Sequence, residues 1–402
     1  MTEPAFDHAR LQRIRAVMSG YVDRGEIPGL VTLVARRDEL HVEAVGTRAL
    51  NGSDPMQRDT IFRIASLTKP IAAAAAMILV EECRLRLDEP VDRWLPELAG
   101  RRVLRRIDAE LDDTVPARRS ITLRDLLTQR LGIGSVMAPP GTYPIQRAMA
   151  ELCIGGDGPP KPALTPPTDE WIRRLGSLPL LHHPGDQWCY HIGMDVVGVL
   201  VARASGGSFG EFLQERVFAP LGMRDTGFYV PPGKRQRFPE CYASAADGPG
   251  LALYDGIEDS LWGQTPPFES GGGGLVSTVD DYHAFCRMLL NKGRHGGERI
   301  LSRASVELMT TDQLTQEQRD ANPIFFEGNS GWGFGMGVGT RRDDLATVPG
   351  RFGWTGGVGT SAYSDPQEDL IGILMTQRLL DTPQPPTVLT DFWTTTYQAI
   401  AD

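Results

Sequence analysis

Cysteine is scarce: five residues in a chain of 402, at Cys83, Cys153, Cys189, Cys241 and Cys286, with no CxxC spacing among them. The odd number and the scatter exclude a complete disulfide framework and point to a reducing compartment. Basic charge is also in deficit, 41 Lys plus Arg against 51 Asp plus Glu, for a formal net charge of −10. That balance argues against nucleic acid or an anionic membrane as partner, and small neutral or hydrophobic substrates fit better. Long apolar runs are missing. The longest, Ile71–Val80, is about half the ~20 residues that a membrane-spanning helix requires, so it reads as a core helix. The amino terminus has acids at Glu3 and Asp7 where a signal peptide would be basic, and no apolar segment follows. Secretion is not indicated, and the expected location is the cytoplasm. His182-His183 and the other histidines show no ligand spacing, so no metal and no other cofactor is expected.

What is present is ordinary in amount. Apolar residues make up 41% and charged residues 23%, which excludes disordered, collagen-like and coiled-coil chains. The length exceeds the ~250–300 residues at which one core stops growing, so two lobes, or one domain with a large insertion, are expected. Leu11, Ile14, Val17, Met18 and Tyr21 recur at helical spacing over 7–24, and Gly25 and Pro28-Gly29 end the pattern. Leu30–Ala35 and Leu40–Val45, joined by Arg36-Arg37-Asp38-Glu39, predict an antiparallel hairpin. A second strand-rich block comes late, at Gly331–Val338, Arg351–Gly356, Thr360–Ser364 and Leu370–Thr376, before a closing helix over Val388–Ile400. The sheet therefore has distant halves. Between them lie helix signals at Leu123–Leu127, Trp171–Leu175, Met194–Ala204 and Phe209–Val217, with Pro/Gly-rich connectors at 138–144, 155–167 and 231–250. The reading is an α+β chain: a discontinuous sheet domain, 1–80 and 262–402, around a mostly helical insertion, 81–261, that carries active-site loops.

Ser66-Leu67-Thr68-Lys69 is the constellation with chemistry. Pro70 cannot sit deep in a helix, so the helix must begin at or just after Ser66. Ser66 then stands where backbone N–H groups are free and the helix dipole is positive, a place suited to an oxyanion. Lys69 projects from the same face, and a lysine of lowered pKa can take the serine proton. On spacing alone an SxxK is common, and an N-terminal serine followed by a surface lysine would look the same.

Context narrows the reading. FRIASLTKPI around Ser66, PGDQWCY around Tyr190, PLGMRDTGF at 220–228, GWGFGMGV at 331–338 and GWTGG at 353–357 occur in the order of the serine β-lactamase-like, penicillin-recognising superfamily. The chain resembles most closely its family VIII carboxylesterases, over roughly residues 10 to 400. The resemblance implies an antiparallel sheet flanked by helices, an all-helical insertion, and a site in the cleft between them. It implies that Ser66 is the acylated nucleophile and Lys69 its activating partner. Tyr190 matches the tyrosine of a YxN-like second motif, and Trp354-Thr355-Gly356 a KTG-like third motif. It also implies that the backbone N–H groups of Ser66 and Gly357 form the oxyanion hole. A phenolate and an ammonium favour one another, so Lys69 and Tyr190 are expected to share one mobile proton.

Two departures bear on substrate. The second motif reads Tyr190-His191-Ile192, with an apolar residue in place of asparagine, and the third has Trp354 in place of a cation. Ile192, Trp354 and Gly356 are thus the candidate substrate-binding residues, and the loss of a cation disfavours anionic β-lactams and peptides relative to neutral esters. The expected activity is hydrolysis of small carboxylic esters through an acyl-Ser66 intermediate, with a small-molecule ester as the partner. Acyl transfer from the same intermediate, β-lactamase or D,D-peptidase activity, and a non-catalytic binding role are the alternatives, in that order.

Other motifs read as structural. Gly206-Gly207-Ser208-Phe209-Gly210 fits a GxSxG elbow but joins two helical patterns, and Ser208 with Glu211 makes a capping box. The Gly271–Gly274 run lacks a nucleotide-binding context, and Ser277 or Thr278 is expected to cap the next helix. Asp108–Asp113 reads as a solvated acidic face. His191 is expected to point away from the cleft that its neighbour Tyr190 faces.

Overall fold

The structure is a computed structural model, and it describes residues 4–155, 160–246 and 248–401; parts of two connectors, 156–159 and 247, lie outside the described residues. Helix α1 (His8–Asp23) is started by Asp7, whose side chain accepts from the N–H groups of Ala9 and Arg10. It buries Leu11, Ile14, Met18 and Tyr21 along one stripe. Strands β1 (Gly29–Arg36) and β2 (Glu39–Gly46) form the predicted hairpin, Arg36 pairing with Glu39 across a turn in which Arg37 has φ 54°.

Helix α2 (Thr68–Glu81) follows a 3-10 turn over Ala65–Leu67, so the helix starts where Pro70 requires it to, with Pro70 in the first turn. Its run of alanines, Ala72–Ala76, is fully buried and lets α2 pack closely on α3 (Ile192–Ser205), the apolar central helix of the insertion. Helix α4 (Val279–Leu290) is capped by Thr278, which accepts from Asp281 N–H.

The late strands are β3 (Ser330–Trp332), β4 (Gly337–Gly339), β5 (Phe352–Gly356), β6 (Thr360–Asp365) and β7 (Leu370–Thr376). With the early hairpin they form one antiparallel seven-stranded sheet in the order β3-β4-β5-β6-β7-β1-β2. The single strand expected over Gly331–Val338 is two strands, because Gly335 turns the chain with φ +72° and Gly333 N–H bonds Met336 C=O at 2.9 Å. That turn presses on α2: a Cβ at Gly335 would lie 2.7 Å from Lys69 O.

On one face of the sheet, α1 packs with the last helix, α5 (Thr387–Gln398), around Leu370, Leu374, Phe392 and Trp393. On the other face, α2 and α4 pack against β1, β7 and the helices of the insertion in the largest core cluster. Two short strand pairs also lie between α2 and α4, Arg102–Leu104 with Thr114–Pro116 and Cys241–Ser244 with Leu251–Asp255. The second of these falls in the connector expected over 231–250, and it bridges to Arg378 just past β7. Among the described residues, no single helix is long and apolar enough to cross a membrane.

Candidate active site

Ser66 lies between the start of α2 and the end of β5. Its approach segment is fixed at several points: Ile64 N–H bonds Leu275 C=O at 3.0 Å, Thr360 Oγ1 bonds Ile64 C=O at 3.2 Å, and Arg63 pairs with buried Asp255. Ala65 then adopts φ 42°, a left-handed conformation for a residue with a Cβ, immediately before the serine. Ser66 is buried, 8% exposed, and Lys69 is fully buried.

Three side chains converge there. Lys69 Nζ lies 2.9 Å from Ser66 Oγ, and the Tyr190 hydroxyl reaches the same oxygen at 2.8 Å. Trp354 Nε1 donates to the Tyr190 hydroxyl at 2.7 Å, so the indole takes part in the hydrogen-bond chain as well as the apolar wall. Its ring stands edge-on to Trp332, 4.6 Å between centroids, and Trp188, Phe325 and Phe326 complete an aromatic cluster around Tyr190.

Burial sets the protonation states. It pulls the Lys69 ammonium from 10.5 down to about 7, with the charge of Asp195 opposing. It also pushes the Tyr190 phenol up to about 12, against the hydrogen bonds that it makes to Ser66 and accepts from Trp354. Desolvation is the largest cause of both shifts, so above about pH 7 a neutral amine and a neutral phenol face Ser66, rather than the ammonium–phenolate pair.

The third motif is read differently at each residue. Gly357 is exposed just past β5, and a Cβ there would meet nothing within 4 Å. Strand β5 packs on the turn carrying Ser66, and Gly357 directly follows that strand. At Gly356 there is no room for a side chain: a Cβ there would meet Thr360 Oγ1 and lie 2.5 Å from Ile64 O.

His191 departs from its expected part. Ile192 is 1% exposed and lines a small cavity together with His191, Val136, Gln146 and Met149. His191, expected to turn away, places Nδ1 3.2 Å from Lys69 Nζ. The cause is local. His191 has φ 83° and ψ −65°, and Ile192 N–H bonds Tyr190 C=O at 3.3 Å, which together make a positive-φ γ-turn. Such a turn reverses the chain within three residues, so adjacent side chains can face one cleft. Behind the ring, His191 Nε2 lies 3.3 Å from Asp195 Oδ2. Asp195 Oδ1 accepts from Ser270 Oγ at 2.5 Å and Gly272 N–H at 2.9 Å, and Gly272 C=O accepts from Lys69 Nζ at 2.6 Å. Burial alone would raise the Asp195 carboxyl, but His191, Ser270 and Gly272 together hold it below the usual carboxylate value. This network is absent from the sequence reading. Its available signals were one acid, Asp195, in the apolar helix Ile192–Ala202, four residues after His191, and a Ser-Gly-rich stretch at 270–274.

Ser208 lies elsewhere, in the capping box with Glu211. Among the described residues, no group of three His, Cys, Asp or Glu side chains has the arrangement of a metal site.

The chain has relatives among known proteins. The family model described as Beta-lactamase matches residues 14–388. "Protein Rv1367c" of Mycobacterium tuberculosis is 41% identical over 371 residues, covering 89% of this chain and 88% of that one. "Esterase EstB" of Burkholderia gladioli is 31% identical over 386 residues, covering 90% and 89%. Among solved structures, "EstCE1, a hydrolase with promiscuous acyltransferase activity" superposes with a TM-score of 0.78 at 26% identity, covering 97% of this chain and 99% of that one.

Proposed function

Since this chain belongs to the beta-lactamase family, a family of serine hydrolases with esterase and acyltransferase relatives, we propose that it is a carboxylesterase that cleaves small neutral esters through an acyl-Ser66 intermediate. The carrying observation is the double engagement of Ser66 Oγ, at 2.9 Å by a buried lysine of lowered pKa and at 2.8 Å by a tyrosine. Neutral Lys69 takes the Ser66 proton as Oγ bonds to the ester carbonyl carbon. The carbonyl electron pair moves onto oxygen, where the N–H groups of Ser66 and Gly357 receive the negative charge. When the pair returns, the C–O bond to the alcohol breaks, and the leaving alkoxide takes a proton from the Lys69–Tyr190 pair. Water then repeats the sequence and frees the acid.

Substrate choice follows from what lines the cleft. Trp354 puts an indole where lactam-recognising relatives carry a cation, so the site offers a substrate carboxylate no charge partner at that position. Acyl transfer is the second reading, favoured by the acyltransferase activity in the description of EstCE1. A panel of nitrophenyl esters run beside a chromogenic cephalosporin, with and without an added alcohol, tests both. Ester turnover well above cephalosporin turnover supports the proposal, and equal efficiency on the cephalosporin overturns it. A transferred acyl group in the alcohol-containing reactions supports the second reading.

A further inference from the structure

Lys69 has more partners than Ser66, and their chemistry constrains it. A neutral amine has two N–H bonds and one lone pair. Two of the three groups around Nζ can only accept: Gly272 C=O at 2.6 Å and, on the argument that follows, His191 Nδ1 at 3.2 Å. Asp195, an ionised carboxylate, offers no proton to His191 Nε2 at 3.3 Å, so the ring proton belongs on Nε2 and Nδ1 presents its lone pair to Lys69. With both N–H bonds so occupied, the lone pair of the amine is left to face the Ser66 hydroxyl.

Both acceptors are fixed by the same side chain. Asp195 holds the His191 ring through Oδ2 and the Gly272 peptide through Oδ1, with Ser270 adding a further bond to Oδ1. Space around them is tight: a Cβ at Gly272 would lie 2.9 Å from both Asp195 Oδ1 and His191 Nε2. The strained turn at His191 brings the ring into the cleft beside Tyr190.

We propose that Asp195 and His191 are positioning residues for Lys69, which fix the imidazole tautomer and the Gly272 carbonyl so that the amine lone pair is aimed at Ser66. The proposal rests on Ser66 and Lys69 acting as nucleophile and base. Among the described residues, the ionisable groups that face the His191 ring are Lys69 and Asp195, with the Tyr190 ring 6.0 Å away between centroids.

The test uses three variants. Asp195→Asn keeps the shape, but Ser270 and Gly272 N–H require its oxygen at Oδ1, so its NH2 faces Nε2 and forces the proton onto Nδ1, towards Lys69. It should lower kcat about 100-fold with little change in KM. It also removes a charge that favours the Lys69 ammonium, so the acidic limb of the pH–kcat profile should move to lower pH. His191→Gly suits the positive φ and should lower kcat about 10–100-fold, with partial rescue by added imidazole. His191→Asn tolerates that φ and can place an amide oxygen near the Nδ1 position, so it should retain more activity than His191→Gly. Mass spectrometry of Ser66 after exposure to an activated ester is run on every protein. An unlabelled wild type would refute the esterase reading itself. With the wild type labelled, Asp195→Asn and His191→Gly within twofold of wild-type kcat, or a loss in Asp195→Asn with an unmoved acidic limb, would overturn the positioning role.

Discussion

The Trp354 indole N–H donates to the Tyr190 hydroxyl at 2.7 Å, and that hydroxyl in turn lies 2.8 Å from Ser66 Oγ. The tryptophan sets the direction of the Tyr190 proton: with one lone pair committed to the indole, the O–H is free to point at the serine. Trp354→Phe keeps an aromatic ring against Trp332 but deletes the donor. It should lower kcat about tenfold, the loss of roughly 1.4 kcal/mol expected of one buried hydrogen bond. Trp354→Lys should weaken neutral-ester turnover further and improve the affinity for carboxylate-bearing substrates. Steady-state kinetics on an ester and on an anionic lactam check both variants.

The pH dependence follows from burial. Lys69 acts as a base only when neutral, and its pKa is held at about 7, so kcat/KM on a neutral ester should rise through pH 7 and level off above it. Tyr190 stays protonated up to about pH 12, so it should impose no basic limb below pH 10. Lys69→Ala and Tyr190→Phe should each cost several decades in kcat, and the double variant should be little worse than either, because the two serve one proton transfer. A pH–rate profile with a basic limb near pH 9 would instead show a titrating phenol.

Burying Lys69 also costs stability. Its pKa falls from 10.5 unfolded to about 7 folded, so the native state binds the proton less tightly than the unfolded chain. The sign is that the cost is absent above the unfolded pKa, grows as pH falls from 10.5 to 7, and is complete below 7. Lys69→Met, inactive, should therefore be more stable than wild type by on the order of a few kcal/mol at pH 7 and by less at pH 10. Denaturant melts at the two pH values measure the difference.

The two glycines after Thr355 should respond in opposite ways. Gly356→Ala would press a methyl within 2.5 Å of Ile64 O and should displace the nucleophile turn, with loss of both stability and activity. Gly357→Ala meets open space and keeps its N–H, so activity should stay within about threefold of wild type. Thermal melts and ester turnover on the two variants distinguish them.

Ser66, Lys69 and the start of α2 were legible in the sequence because Pro70 forces a helix to begin there, and the two halves of the sheet were legible from their apolar runs. The positions of Tyr190 and Trp354 came from ordered motifs, but the hydrogen bond between them did not, since nothing in a one-dimensional pattern says that an indole N–H reaches a phenol 164 residues earlier. His191 was misread because side chains of adjacent residues usually diverge, and a γ-turn with φ 83° leaves no mark in composition or periodicity. The close packing at Gly356 left no mark either, because the space its Cβ would fill is taken by Thr360 and by the carbonyl of Ile64, which is distant in sequence and held there by Thr360.

The central claim is that Ser66 carries the acyl group. Intact-protein mass spectrometry with peptide mapping, after brief exposure to an activated short-chain ester, tests it directly. Wild type should gain one acyl mass, mapped to Ser66 and lost on longer incubation, and Ser208→Ala should gain the same mass. Ser66→Ala should gain none. Acylation that persists in Ser66→Ala, or that maps to Ser208, would contradict the account.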